Sequence, residues 1–149
     1  MEWFKVQELV TMEAYKDRGD KAITTVDNRI VEFLEGLRNA LGKPITVNNW
    51  HVGGKREWSV GRTPDSPWYS PYSQHSFGRA VDALVSGMGA EDVRQWVIDN
   101  RELDWVKPIT FIESGESVNW LHVDVRGGTN GDLWVWDKDT GKTKIYKRG

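Results

Sequence analysis

Two short segments of the sequence contain residue types that can bind a metal ion and activate water. One is SQHSFGRAVD at residues 73–82, and the other is WLHVD at residues 120–124. Together they supply imidazoles and carboxylates, and two imidazoles with one carboxylate can hold zinc through three protein ligands. The fourth position of such a site stays open for water, which is typical of catalytic rather than structural zinc.

The sequence contains no cysteine, which excludes thiolate zinc sites, disulfides and cysteine nucleophiles. Any metal must therefore be bound by nitrogen and oxygen ligands. The three histidines are His51, His75 and His122, and a single histidine is more often an ordinary core or surface residue than a ligand. The combination favours a metal site, because histidine, glycine, alanine and aspartate occur at fixed offsets in one segment and a second histidine lies in the other.

The two segments can converge if each is built around a β-strand. A strand over residues 119–126 places Trp120, His122 and Asp124 on one face, toward a cleft, and the aliphatic residues between them on the other, toward the core. In the first segment, Gly78 allows the backbone to turn between the histidine and the aspartate. Ligands that are too far apart for one helical face can then approach each other.

Apolar spacing predicts the remaining elements. It indicates an amphipathic helix over residues 27–41, capped by Asp27, and a second helix over residues 90–100. Strands are predicted over residues 45–47, 79–84 and 109–113, with a hairpin over residues 133–146 that turns at residues 137–141. A polar, glycine- and proline-rich stretch over residues 48–73 is long for a loop, and such stretches usually line a functional site.

These elements predict an α+β fold in one domain that spans residues 1–149. We expect a small, mainly antiparallel sheet with helices packed on one face and a zinc cleft on the other. We also expect a monomer. Most of the nine tryptophans are expected in the core, although such rings also stack on sugars and bases.

The charge balance argues against nucleic acid and membrane partners. Twenty lysines and arginines nearly balance twenty-two aspartates and glutamates, so no net field attracts a polyanion or an anionic lipid surface. The first residues lack the basic flank and apolar stretch of an export signal, and no segment has the length of a membrane span.

The motifs S-x-H-x-x-G-x-A-x-D at residues 73–82 and W-x-H at residues 120–122 resemble those of the zinc D-Ala-D-Ala carboxypeptidase and L-alanyl-D-glutamate endopeptidase family, especially its bacteriophage members. The resemblance implies a hedgehog-like fold in which His75, Asp82 and His122 bind Zn²⁺. It also implies that Arg62 is the substrate-binding arginine, which would hold a peptide carboxylate or a developing oxyanion. The alternative for Arg62 is a solvated loop residue. The motif gives His51 no ligand role.

Many members of this family place a catalytic glutamate three residues before the second zinc histidine, where this chain has Asn119. Two acidic residues remain nearby, Glu113 at the end of a predicted strand and Glu116 in the turn that follows. Phage relatives often carry the glutamate at the earlier position. We favour Glu113 as the general base, because a strand end holds a side chain more firmly than a turn. Glu116 is the second candidate.

The resemblance implies a zinc metallopeptidase that hydrolyses a peptide bond in the peptidoglycan stem peptide, either as a D,D-carboxypeptidase or as an endolysin-type endopeptidase of a bacteriophage. Such an enzyme, made in the host cytoplasm without a signal peptide, reaches the cell wall after release or as a virion component. One alternative is a zinc-binding but non-catalytic virion or cell-wall-binding module. Another is a metal-free scaffold, which requires His75, Asp82 and His122 to face apart.

Overall fold

The computed structural model describes residues 1–70 and 72–149, so Pro71, in the predicted loop stretch, lies outside the described residues. Three helices come first along the chain, and the six strands follow with one helix between the second and third strands. They are α1 (Val6–Leu9), α2 (Met12–Arg18), α3 (Asn28–Leu41), β1 (Ile45–Thr46), β2 (Ala80–Val85), α4 (Ala90–Asp99), β3 (Phe111–Ser114), β4 (Leu121–Asp124), β5 (Leu133–Asp137) and β6 (Thr143–Tyr146). Short 3-10 helices cover Gly19–Thr25, Trp50–Val52 and Gln74–Phe77.

Within the described residues, the strands form one six-stranded sheet in the order β1-β2-β4-β3-β5-β6. Every neighbouring pair is antiparallel except β3 and β5, which run parallel. The predicted α+β class with a mainly antiparallel sheet is therefore confirmed. The C-terminal hairpin is also confirmed, since β5 and β6 pair in antiparallel register.

One face of the sheet packs against the helices. Alternation along the strands directs Val81, Ala83, Ile112, Leu121 and Val123 to this face. All five are buried and belong to the hydrophobic core, together with buried side chains of α3 and α4. The aliphatic residues of the predicted strand around His122 therefore form part of the core, as expected.

The opposite face of the sheet carries polar and aromatic side chains. Strand register aligns Asp82, His122, Glu113, Trp136 and Thr143 in one row across β2, β4, β3, β5 and β6. We call this line of residues the cross-strand row. It brings together side chains that are far apart in the sequence.

Helix α3 begins and ends at the residues that its sequence indicates. The Asp27 carboxylate accepts a hydrogen bond from the Arg29 backbone N–H at 2.9 Å, which caps the first turn. Gly42 ends the helix with a positive φ of 63°, and its N–H donates to the carbonyl of Arg38. Both predicted helices are present, and α4 ends at Asp99.

Several strands are shorter than the sequence predicts. Strand β3 begins at Phe111 instead of residue 109, because the Ile109 N–H bonds to the carbonyl of Val106 in a turn. Strand β4 covers Leu121–Asp124 instead of residues 119–126, and the carbonyl of Trp120 accepts a hydrogen bond from Arg94. The helices before residue 26 were not predicted. In the described part of the chain, no helix has the length and apolar character needed to cross a bilayer.

Candidate metal centre

His75 is positioned by a single turn of 3-10 helix and the glycine that ends it. The Ser73 hydroxyl accepts a hydrogen bond from the His75 N–H at 3.2 Å and caps this turn. Gly78 then adopts a positive φ of 67° and directs the chain into β2. A Cβ atom at this position would lie 2.0 Å from the carbonyl oxygen of Thr25, so the close approach requires glycine. The turn predicted between His75 and Asp82 is therefore confirmed.

The three predicted ligands meet on the open face of the sheet. Asp82 and His122 are paired across β2 and β4, and Asp82 Oδ1 lies 2.9 Å from His122 Nδ1. The same oxygen lies 3.4 Å from His75 Nε2. One candidate ligand atom from each residue lies within 4.8 Å of the others. This group could hold a metal ion, and its convergence contradicts the requirement of the metal-free alternative.

Each imidazole has its second nitrogen bonded to an acceptor outside this group. His75 Nδ1 lies 3.0 Å from the carbonyl oxygen of Val60, and because a carbonyl can only accept, Nδ1 carries the proton. His122 Nε2 lies 3.1 Å from Asp124 Oδ2, which accepts a hydrogen bond from the Nε2–H group. His75 Nε2 and His122 Nδ1 are thus left to face Asp82. Outer acceptors of this kind fix the tautomer of metal-binding histidines.

Asp124 is fully buried and is the residue of this site that sequence reasoning missed. Its two carboxylate oxygens accept hydrogen bonds from Arg126 Nε at 2.8 Å and Nη2 at 2.6 Å. Burial raises the pKa of Asp124, but the hydrogen bonds from Arg126 and His122 outweigh burial and lower it. Strand alternation predicted that this side chain faces the cleft, but no motif assigned it a role.

The electrostatics of the ligand group favour a cation between the three side chains. Burial raises the pKa of Asp82, but hydrogen bonds from His122 and His75 outweigh it and hold that pKa well below its usual range. Burial lowers the pKa of His122, but its bonds to Asp124 and Asp82 outweigh burial and raise it to about 9. Protonated His122 donates its Nδ1–H to Asp82 and its Nε2–H to Asp124. A divalent cation bound by the ligand group would replace the first of these protons and leave the second in place.

Arg62 lies against the ligand group and is not a solvated loop residue. Its side chain is only 16% exposed, and its Nη2 donates to Asp82 Oδ2 at 3.1 Å. Its Nε donates to the carbonyl of Trp58 at 3.2 Å. Burial lowers the pKa of Arg62, while the negative charges of Asp82 and Glu113 act in the opposite direction. The guanidinium therefore orients the oxygen of Asp82 that faces away from the histidines.

Three consecutive backbone carbonyls at residues 58–60 support the site. The carbonyl of Trp58 accepts from Arg62, that of Ser59 accepts from the Asp82 N–H at 2.8 Å, and that of Val60 accepts from His75. Sequence reasoning expected this loop stretch to line a functional site, and the stretch does line the cleft around the candidate ligand group. It did not identify these carbonyls, because a backbone acceptor leaves no signal in residue type.

Of the two candidate bases, Glu113 lies in the site and Glu116 does not. Glu113 is the cross-strand partner of His122, is half-buried and lines the cleft. Glu116 is exposed and lies outside the cleft lining, as does Asn119. His51 is also outside the lining and packs edge-on against Trp50.

The cleft around the ligand group has a volume of about 690 Å³. Basic side chains outnumber acidic ones in its lining. Acidic side chains in the lining are Glu57, Asp82 and Glu113, and basic ones are Lys55, Arg56, Arg62, Arg126 and Lys138. Trp58, Trp68, Tyr72 and Trp120 supply aromatic surface. Such a cleft suits a ligand that has carboxylates as well as apolar parts.

No protein-family model matches the chain, and no curated protein or solved structure matches it either.

Proposed function

We propose that this protein is a zinc-dependent peptidase that cleaves a peptide bond in the stem peptide of peptidoglycan. The observation that carries the proposal is the arrangement of the two imidazoles, each with one nitrogen bonded to an outer acceptor and the other facing Asp82. Two nitrogens and one carboxylate directed at a common point are the ligand set of catalytic zinc. The choice of zinc and of the peptide substrate follows the motif resemblance to zinc carboxypeptidases and endopeptidases.

The residues around the ligand group have the chemistry that hydrolysis needs. A bound zinc ion would lower the pKa of water and polarise the scissile carbonyl. Glu113 accepts a proton from the attacking water as the water oxygen bonds to the carbonyl carbon. The C–N bond then breaks, and Glu113 donates this proton to the leaving amine nitrogen. The guanidinium N–H groups of Arg62 that are not bonded to Asp82 or Trp58 donate to a peptide carboxylate or to the developing oxyanion.

The charge of the cleft supports a carboxylate-bearing peptide as the substrate. Arg62 is paired with Asp82, and Arg126 is paired with Asp124 beneath the lining. The remaining charged side chains of the lining are Lys55, Arg56, Lys138, Glu57 and Glu113. This small excess of positive charge attracts the carboxylates of a stem peptide. The aromatic side chains at the cleft provide contact area for its apolar parts.

The test compares Glu113→Gln with Glu116→Gln as the matched control. Both changes replace a carboxylate by an amide, but only the first is in the cleft. We expect Glu113→Gln to lower the release of fragments from purified peptidoglycan by about 100-fold or more, the usual contribution of a general base. We expect both variants to retain one equivalent of zinc by metal analysis, and Glu116→Gln to cleave at the wild-type rate.

Normal cleavage by Glu113→Gln would show that the base is assigned wrongly.

Asn119 at the usual glutamate position favours a second candidate function, a zinc-binding module that docks to the cell wall or virion without catalysis. That candidate predicts one equivalent of zinc and no fragment release by the wild-type protein. Mass spectrometry of the fragments identifies the bond cleaved and separates endopeptidase from carboxypeptidase action.

A further inference from the structure

The open face of the sheet continues beyond the metal centre into a second groove of about 370 Å³. The cross-strand row leads from His122 through Glu113 to Trp136 and Thr143, and the last three line this groove. Neighbouring strands lie about 4.8 Å apart, so Trp136, two strands away, is about 10 Å from His122. Glu113 and Arg126 line both the groove and the cleft. One extended ligand can therefore occupy both.

Trp134 and Trp136 supply the aromatic surface of the groove. They are two residues apart on β5, so their side chains lie on the same face of the sheet, and both are half-buried. Trp96 and Trp105, in contrast, stack on each other beside the core. Within the described residues, neither indole N–H of the groove donates to another residue. The pair thus offers flat apolar surface with free hydrogen-bond donors.

The lining of this groove also includes a threonine whose buried hydroxyl has no partner among the described residues. Thr129 is only 4% exposed, and its Oγ1 has no hydrogen-bond partner among the described residues. It belongs to the lining of the groove, as does Thr143 from the edge strand. An unsatisfied buried hydroxyl destabilises a fold unless a ligand or water completes it. A groove ligand would reach this hydroxyl through rotation of the Thr129 side chain, which would give the buried oxygen a partner beside the tryptophans.

The charges of the groove argue against a polyanionic ligand. The charged side chains of its described lining are Glu113 and Arg126, and both carboxylate oxygens of Asp124 accept hydrogen bonds from Arg126. The guanidinium also stacks over Phe111, at 3.5 Å from the ring centroid. The Arg126 guanidinium is therefore already occupied by Asp124 and Phe111. Nucleic acid binding depends on basic groups that are free to neutralise phosphates, so the groove does not suit a nucleic acid.

From these observations we propose that the groove binds a neutral N-acetylhexosamine saccharide through Trp134, Trp136 and Thr129. A pyranose ring has an apolar C–H face that packs on an indole and a hydroxyl edge that bonds to side chains such as threonine. The biological ligand rests on the proposed function: it is the glycan strand whose stem peptide enters the adjoining cleft. The saccharide contact itself does not require the metal.

The test titrates chitotetraose, a neutral N-acetylglucosamine tetrasaccharide, into the full chain by isothermal calorimetry. We expect Trp136→Ala and Trp134→Ala each to weaken binding at least tenfold, and Thr129→Val, which removes only the hydroxyl, to weaken it severalfold. Trp3→Ala is the matched control, because Trp3 is exposed and packs on Arg38 away from the groove. Circular dichroism verifies that each variant is folded, and chelation of metal is expected to leave binding unchanged.

Absence of chitotetraose binding by the wild-type protein at millimolar concentration would overturn this proposal, as would unchanged affinity in folded Trp136→Ala and Thr129→Val. Stronger binding of a proline-rich peptide or a single-stranded oligonucleotide in the same groove would also overturn it. The experiments distinguish failure of the peptidase proposal from failure of the glycan groove proposal. Saccharide binding without peptide cleavage contradicts only the peptidase, and peptide cleavage without saccharide binding contradicts only the glycan groove.

Discussion

The candidate ligand group depends on residues that would not themselves touch a metal. The carbonyl of Val60 and the carboxylate of Asp124 each hold the distal nitrogen of one imidazole, and Arg62 holds the outer oxygen of Asp82. Each ring is thereby fixed in orientation and tautomer before a cation arrives. This arrangement lowers the entropy lost when the three side chains bind a metal.

The role of Asp124 can be tested by Asp124→Asn. The amide oxygen can still accept from His122, but the negative charge that strengthens the imidazole as a ligand is lost. We expect zinc affinity to fall by about 10- to 100-fold, the usual effect of removing such a partner. Competition with a chromogenic chelator measures this change. Asp132→Asn is the control, because Asp132 pairs with Lys147 outside the cleft, and unchanged zinc affinity in Asp124→Asn would contradict the role.

For individual residues, the sequence predicted the candidate metal ligands better than the groups that hold those ligands in place. The motif resemblance implied His75, Asp82 and His122 as ligands, and these three side chains do converge. Strand alternation placed Asp124 on the correct face without indicating what it bonds. The carbonyl of Val60 had no sequence signal, because every residue has one and only the fold decides which carbonyl meets a histidine.

Among the elements, the turn from the 3-10 helix at Gln74–Phe77 into β2 has the strictest steric requirement. Gly78 combines a positive φ with close contact to the Thr25 carbonyl, whereas Gly42 has a similar φ of 63° and no atom within 4 Å of the position that a Cβ would take. A comparison of alanine substitutions at the two glycines therefore separates the cost of backbone strain from the cost of steric overlap.

We expect Gly42→Ala to lower the free energy of unfolding by about 1–2 kcal/mol, the cost of a left-handed alanine. Gly78→Ala should cost clearly more, because the chain must also move away from Thr25. It should weaken zinc binding as well, since that movement displaces His75 relative to Asp82. Urea unfolding and zinc titration measure both effects, and equal costs for the two variants would contradict the steric argument.

Elements with long amphipathic patterns were predicted closely, and those whose limits depend on tertiary contacts were not. Helix α3 has its capping signal at Asp27 and its stop signal at Gly42. The ends of β4 are instead set by contacts such as Arg94 from α4, which bonds to the carbonyls of Val118 and Trp120. The short helices before residue 26 lack a sustained apolar period and were missed for that reason.

At the scale of the whole molecule, the α+β class followed from the mixture of helical and strand patterns. The strand order did not, because nothing local indicates that the C-terminal hairpin pairs beside β3 in parallel register. That placement extends the open face by two strands and creates the second groove.

Zinc binding should stabilise the complete fold, because its proposed ligands are brought together only in the native sheet. At a free zinc concentration about 100 times Kd, linkage gives about 2.7 kcal/mol of added stability. We expect this increase in the wild-type protein and in Glu113→Gln, and its loss in His75→Ala. Differential scanning calorimetry with and without zinc measures it, and an equal zinc effect in His75→Ala would contradict the ligand assignment.

The pairing of β2 with β4 also has a consequence for biosynthesis. Asp82 and His122 are 40 residues apart and come into contact only across these two strands. A nascent chain on the ribosome cannot assemble the site until β4 has emerged and paired with β2. Metal binding by this group would therefore follow the pairing of β4 with β2, and occupancy would depend on the free cation concentration that the chain meets at that stage.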